Sequence, residues 1–190
     1  TLEAAGAPTA PLSALAAKVR SGDPQNIEAQ GARRYWSLLF GEDFRRDRQA
    51  GGVNAMLNYG YTVLRATTAR AVVAAGLHPT ISLFHSNEGN AMRLIDDLME
   101  PFRPLIDLRV WQLERSAQRD VTPDVKRALV RVMYDDMQGV MGATPVMNCI
   151  ASLATSLAQI YLGEREKLEL PYPSLPIELA ALAAQDKKPE

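Results

Sequence analysis

Helical periodicity recurs in nearly every window of this chain between Pro11 and Gly163, and strand signals are almost absent. That pattern commits the fold to an all-α domain, and 190 residues suffice for one substantial core. Asp23 reads as an N-cap with Pro24 at the first helical position; Ile27, Ala32, Tyr35, Trp36 and Leu39 follow as one apolar stripe, and the helix ends near Gly41. Glu42 to Gly52 is a polar, arginine-rich loop. Val53 to Ala75 is a long helix closed by Gly76. On it Asn54, Asn58, Tyr61 and Arg65 share one face, while Leu57, Leu64 and Val72 turn elsewhere, so the polar stripe needs a partner or solvent. After a connector from Leu77 to Phe84, a helix is expected from Ser86 or Asn87 to about Pro101. Three more follow over Leu105 to Ser116, Pro123 to Val140 and Pro145 to Gly163. Residues 1–163 therefore form the expected helical domain. Residues 164–190 form an irregular arm in which Ser174 to Ala184 can make a short docking helix.

Composition removes several classes of function. The one cysteine, Cys149, cannot form an intramolecular disulfide, which fits a reducing cytoplasm. No segment approaches the roughly 20 apolar residues of a membrane span, and the alanine-rich start lacks the cationic leader of a signal peptide. Walker A, dinucleotide and His-Glu-x-x-His signatures are missing, and His85-Ser86-Asn87-Glu88 runs in the wrong order for a di-iron bundle. Asp96-Asp97-Leu98-Met99-Glu100 has the look of a diphosphate motif from helical prenyl-processing enzymes, but those line their pockets with aromatics, which are only 6% here. A net charge of -1 does not announce a nucleic-acid binder. Between Arg33 and Arg70, however, Arg33, Arg34, Arg45, Arg46, Arg48, Arg65 and Arg70 face only Glu42, Asp43 and Asp47.

A divalent cation acting on phosphates needs oxygen ligands and, in some nucleases, one imidazole. Glu28, His85 and Glu100 supply such a set. Helical spacing puts Asp97 and Glu100 on one side with Arg93 a turn earlier and Asp96 about a quarter turn away, so Asp97 can be an auxiliary ligand. Glu28 lines up with Ala32, Tyr35 and Leu39, which aims its carboxylate toward the bundle, where a cation would compensate its burial. Taken singly, the same residues have plainer readings. Glu28 can be a solvated helix residue, His85 a helix cap, and Asp96, Asp97 and Glu100 an ion-paired face with Arg93. Tyr59 and Tyr61 can stack on bases or belong to the core, and Arg33, Arg34, Arg45, Arg46 and Arg48 can neutralise phosphates or be solvated. His78 reads as a capping or packing residue.

Four ordered blocks decide among these readings: Gly22 to Gly41, Asn54-Ala55-Met56-Leu57-Asn58-Tyr59-Gly60-Tyr61, Gly76-Leu77-His78-Pro79, and His85 to Pro104. Together they resemble the CRISPR adaptation integrase family, in the form found beside type II systems, over about Leu12 to Leu162. The resemblance implies a helical catalytic lobe in which Glu28, His85 and Glu100, with Asp97 as auxiliary, hold Mg²⁺ or Mn²⁺. It implies transesterification, the 3′-hydroxyl of a captured protospacer DNA attacking a phosphodiester of the CRISPR repeat. Arg33, Arg34, Arg45, Arg46 and the face formed by Asn54, Asn58, Tyr61 and Arg65 would hold the DNA. The family also implies a homodimer bridged by a small ferredoxin-like partner protein. Its N-terminal β-rich lobe is not in this sequence, so the chain is expected to be an excised domain, a natural truncation or a diverged paralogue. Glu88 and Gly89 depart from the uncharged or aromatic residues of relatives. The alternative expectation is a non-catalytic helical module that binds DNA or protein.

Overall fold

The computed structural model describes residues 1–20, 22–84, 89–139 and 142–172. Among these the chain runs α1 (Ala10–Ala16), α2 (Ile27–Phe40), α3 (Val53–Ala74), α4 (Arg93–Met99), a 3-10 turn (Glu100–Phe102), α5 (Arg103–Arg115), α6 (Pro123–Arg131), a second 3-10 turn (Val132–Tyr134), strands β1 (Asp136–Gly139) and β2 (Gly142–Pro145), and α7 (Val146–Tyr161). The all-α expectation holds, with one two-stranded antiparallel hairpin added to it.

The long helix α3 is the axis of the fold, packed by α4, α5, α6 and α7. Its apolar residues Met56, Leu57, Leu64 and Val72 are fully buried against Phe102, Ile106, Leu129, Ile150 and Leu153 of the surrounding elements. Each such side chain contributes roughly 1.5–3 kcal/mol relative to exposure. The buried hydroxyls of Thr67 and Thr68 donate back to the carbonyls of Val63 and Leu64, so the core carries these polar atoms satisfied. Close approach of α3 and α5 depends on Gly60, where a Cβ would stand 2.4 Å from Ile106 Cγ2. At the far end Gly76, at φ +75°, lets its own N–H and that of Leu77 return to the carbonyls of Val73 and Val72. This is the glycine-dependent stop expected there. A smaller cluster of Leu2, Leu39, Leu108 and Trp111 ties the N-terminal segment and α2 to α5.

Several expected boundaries move. Helix α2 starts at Ile27, not at Pro24: Asp23, at φ 38°, stays outside it and accepts from the N–H groups of Ile27 (2.8 Å) and Glu28 (2.9 Å). Helix α4 starts at Arg93, after a turn at residues 91 and 92, instead of near Ser86; residues 85–88, and with them His85, lie outside the described residues. The helix expected over Pro123 to Val140 ends at Arg131. Asp135 breaks it: its carboxylate is buried beside Arg109 (3.1 Å), and its extended backbone carbonyl accepts from Val146 N–H, which turns the chain into the hairpin. Of the C-terminal arm, the described part lies on α7, with Glu169 N–H donating to Ser156 Oγ (2.9 Å) and Leu168 against the core. The docking helix expected over Ser174 to Ala184 lies outside the described residues.

Candidate functional site

A cleft of about 670 Å³ opens between α3, the loop before it and the α4–α5 junction. Among the described residues four arginines line it, Arg46, Arg48, Arg65 and Arg103, against two carboxylates, Asp96 and Glu100, a local positive excess that the near-neutral chain hides.

The polar stripe of α3 finds its partner in that loop. Arg46 donates to Asn54 Oδ1 (2.9 Å) and to Asn58 Oδ1 (2.6 Å). The same asparagines donate to the carbonyls of Arg45 (3.0 Å) and Arg48 (2.8 Å), and Asn54 Oδ1 also accepts from Asp47 N–H. Asn54 is buried by these bonds. The two asparagines therefore fix Arg46 at the cleft wall, where Asn58, Tyr61 and Arg65 of the stripe also stand. Arg45 turns its guanidinium onto the loop's own carbonyls at Glu42 and Phe44, while Arg33 and Arg34 are exposed on α2.

On the opposite wall Arg65 grips Asp96 with two bonds, Nε to Oδ1 (2.6 Å) and Nη2 to Oδ2 (3.0 Å), and Asn90 adds a third donor at 2.6 Å. The expected disposition of the acidic helix is thereby reversed. Asp96 and Glu100, four residues apart, share the cleft. Asp97 instead faces the connector and accepts from the N–H groups of Leu83 (2.7 Å) and Phe84 (3.2 Å). Glu100 meets Arg103 at its rim, both side chains partly open to solvent. Glu28 sits in the first turn of α2 and is exposed, which corrects the expectation that it points into the bundle. His78 closes its own turn, Nδ1 lying 2.7 Å from Thr80 Oγ1. Among the described residues no three His, Cys, Asp or Glu side chains are gathered as a metal requires; His85 is not one of these residues.

Beneath the cleft lies a centre that the periodicity did not point to. Asp107, 3% exposed, accepts from the hydroxyls of Tyr35 (2.8 Å, on α2) and Tyr61 (on α3). Burial raises its pKa to about 6, a rise opposed by the two phenol donors and by Arg103 and Arg46. Both phenols are in turn pushed well above their usual range, first by burial and then by the Asp107 charge. The Tyr61 ring carries two of the cleft's cations, with the guanidinium carbons of Arg103 and Arg46 at 4.7 and 5.6 Å from its centroid. The signal for Asp107 was a lone carboxylate inside Leu105-Ile106-Asp107-Leu108, a position a solvated acid would not occupy. Tyr59 points elsewhere, under Lys126.

Residues 13–133 match the family model of CRISPR associated protein Cas1, well over half of the chain. The chain belongs to the Cas1 family. A curated relative named CRISPR-associated endonuclease Cas1, from Neisseria meningitidis serogroup C (strain 8013), is 45% identical over 125 residues, covering 65% of this chain and 41% of the relative. CRISPR-associated endonuclease Cas1 2 of Pyrobaculum aerophilum is 31% identical over 112 residues, covering 57% and 38%. The chain spans about two fifths of the length of these Cas1 relatives. Its fold is shared with a solved casposase bound to integration product, at a TM-score of 0.66 and 23% identity over 86% of this chain and 56% of that one. The stretch matched to Cas1 contains Glu28, His85, Glu100, Asp107 and all four arginines of the cleft. No helix among the described residues is long and apolar enough to cross a membrane.

Proposed function

We propose that this Cas1 chain is the helical lobe of a metal-dependent DNA endonuclease and integrase of CRISPR spacer acquisition, joining protospacer 3′-hydroxyl ends to the CRISPR repeat. The observation that carries the reading is the cleft itself: an accessible Glu100 on a wall of four arginines is a place where a phosphodiester meets both cationic donors and a carboxylate.

In this reading Glu28, His85 and Glu100 hold Mg²⁺ or Mn²⁺. The donor set of two carboxylates and an imidazole suits either ion. Glu100 is available to it, because an ion pair as open as that with Arg103 is weak. Support for pairing Glu28 with Glu100 comes from the register of α2 on α5. Tyr35 reaches Asp107, and Leu39, one turn on, joins the cluster of Leu108 and Trp111. Glu28 stands seven residues before Tyr35, and Glu100 seven before Asp107. Asp97 acts on the site through the connector, since it holds the two backbone N–H groups that immediately precede His85.

The bound ion would polarise a phosphoryl oxygen and activate the attacking hydroxyl. The chain's own part is positional. Arg46, Arg48, Arg65 and Arg103 neutralise and orient the phosphates, with Arg33, Arg34 and Arg45 as outlying contacts. The Tyr61–Asp107 bond fixes the ring on which two of those cations rest. No enzyme-linked intermediate is required. A homodimer, a small ferredoxin-like partner and a cytoplasmic setting belong to the same proposal.

Titration calorimetry with Mn²⁺ tests it. The wild-type chain takes up the ion, and Glu100→Ala and Glu28→Ala each abolish uptake while Arg48→Ala retains it. A flat wild-type titration with unchanged thermal stability would overturn the metal-dependent reading in favour of a non-catalytic helical module.

A further inference from the structure

Three helices meet at one buried carboxylate. Asp107 on α5 accepts from Tyr35 of α2 at Oδ2 (2.8 Å) and from Tyr61 of α3 at Oδ1, so each of its oxygens serves a different helix. An amide in its place would offer a single acceptor oxygen, and one phenol would lose its partner. The two phenols lead to different parts of the site. On α2 none of the residues from Glu28 to Arg34 is buried, and Tyr35 ties that half of the helix to α5. Glu28 lies seven residues before Tyr35 and Glu100 seven before Asp107, two helical turns or about 10 Å along each element. Tyr35 and then Leu39 meet Asp107 and then the Leu108 and Trp111 cluster in the same chain order. A shift at the phenol–carboxylate bond therefore displaces one glutamate relative to the other. On α3 the Tyr61 ring lies beneath the guanidiniums of Arg46 and Arg103, and its hydroxyl bond to Asp107 sets the tilt of that ring.

We propose that Asp107 is a positioning residue with two separate arms: through Tyr35 it sets the separation of Glu28 and Glu100 for the metal ion, and through Tyr61 it sets Arg46 and Arg103 for the phosphates. The proposal rests on the reading of Glu28 and Glu100 as ligands. A small hard cation such as Mg²⁺ accepts little departure from its preferred geometry, so the spacing of the two carboxylates decides how well it is held. Neither phenol touches the ion, and neither adds charge to the cleft. Their effect is transmitted through helix placement on one side and through the ring on the other, with the buried carboxylate as the common anchor. Misplacement by a fraction of a bond length at such an anchor is felt where the ligands converge.

Titration calorimetry with Mn²⁺ and fluorescence anisotropy with a labelled duplex in EDTA, both on the full chain, separate the two arms. Tyr35→Phe is expected to weaken Mn²⁺ binding about fivefold and to leave the metal-free duplex affinity at the wild-type value. Tyr61→Phe is expected to do the converse, weakening the duplex about threefold with Mn²⁺ affinity kept. Asp107→Asn weakens both, and where it fails to fold the two tyrosine variants decide alone. Circular dichroism checks that their folds match the wild type. Wild-type Mn²⁺ affinity in Tyr35→Phe overturns the proposal. So do equal losses of both ligands in both tyrosine variants, which is the pattern of a generally loosened fold. In either case, uptake of Mn²⁺ by the wild-type chain leaves the metal-dependent reading standing. A wild-type chain that takes up no Mn²⁺ removes that reading and the proposal together.

Discussion

A carboxylate as deeply enclosed as Asp107 is tolerable only because two phenols donate to it and two arginines face it. Even so, burial wins, and its pKa stands at about 6 against an ordinary 3.8. The folded state thus binds the proton more tightly than the unfolded chain does. The stabilising contribution of this group is complete below the unfolded value, near pH 4, and is lost as pH rises through about 6. Asp107→Asn cannot ionise. The stability of wild type relative to that variant should therefore fall by up to about 3 kcal/mol between about pH 4 and pH 7. Urea unfolding at the two pH values measures this, and a difference independent of pH contradicts it. Tyr61 is the sharper probe of the connection to the cleft. Tyr61→Phe keeps the ring under Arg46 and Arg103 and deletes one donor, and should cost about 1–3 kcal/mol at neutral pH in the same assay.

Between elements, contact distance decides. Gly60→Ala puts a methyl into Ile106, a side chain with no exposure, and should lower stability by about 1–3 kcal/mol in urea melts, with Gly76→Ala acting separately through its positive φ. The extent of α3 was legible because its apolar period and its terminal glycine are local signals. The end of α6 was not, because what stops it is Arg109, 26 positions before Asp135 and on another helix. The same holds for the acidic pair at Asp96 and Asp97. Local spacing put Asp97 beside Glu100 and Asp96 a quarter turn away, whereas Arg65, on α3, holds Asp96 in the cleft with Glu100. Asp23 was legible as a cap but not as one acting from outside the helix, since that needs the left-handed backbone at Asp23 and Asn26. Of the candidate site, Glu100 and the arginines Arg46 and Arg65 were readable and do share a cleft. Arg103 and Asp107 emerge only when α3 is laid against α5.

Taken as a single body, the chain is nearly neutral, so any attraction for DNA comes from where its charges lie and not from their sum. The four cleft arginines by themselves neutralise about four phosphates, which contributes about -3.6 to the slope of log affinity against log salt for duplex DNA. Arg48→Ala should reduce that slope by about one unit. Anisotropy at several salt concentrations checks both, and an affinity indifferent to salt would remove the cleft from consideration as a phosphate surface. The two asparagines that clasp the loop before α3 add a thermodynamic consequence. A long cationic side chain normally surrenders its rotameric freedom when its ligand arrives, which erodes affinity. Arg46 has made that surrender during folding, so cutting Asn58 back to alanine should slow capture and hasten escape of a bound strand without removing a single positive charge.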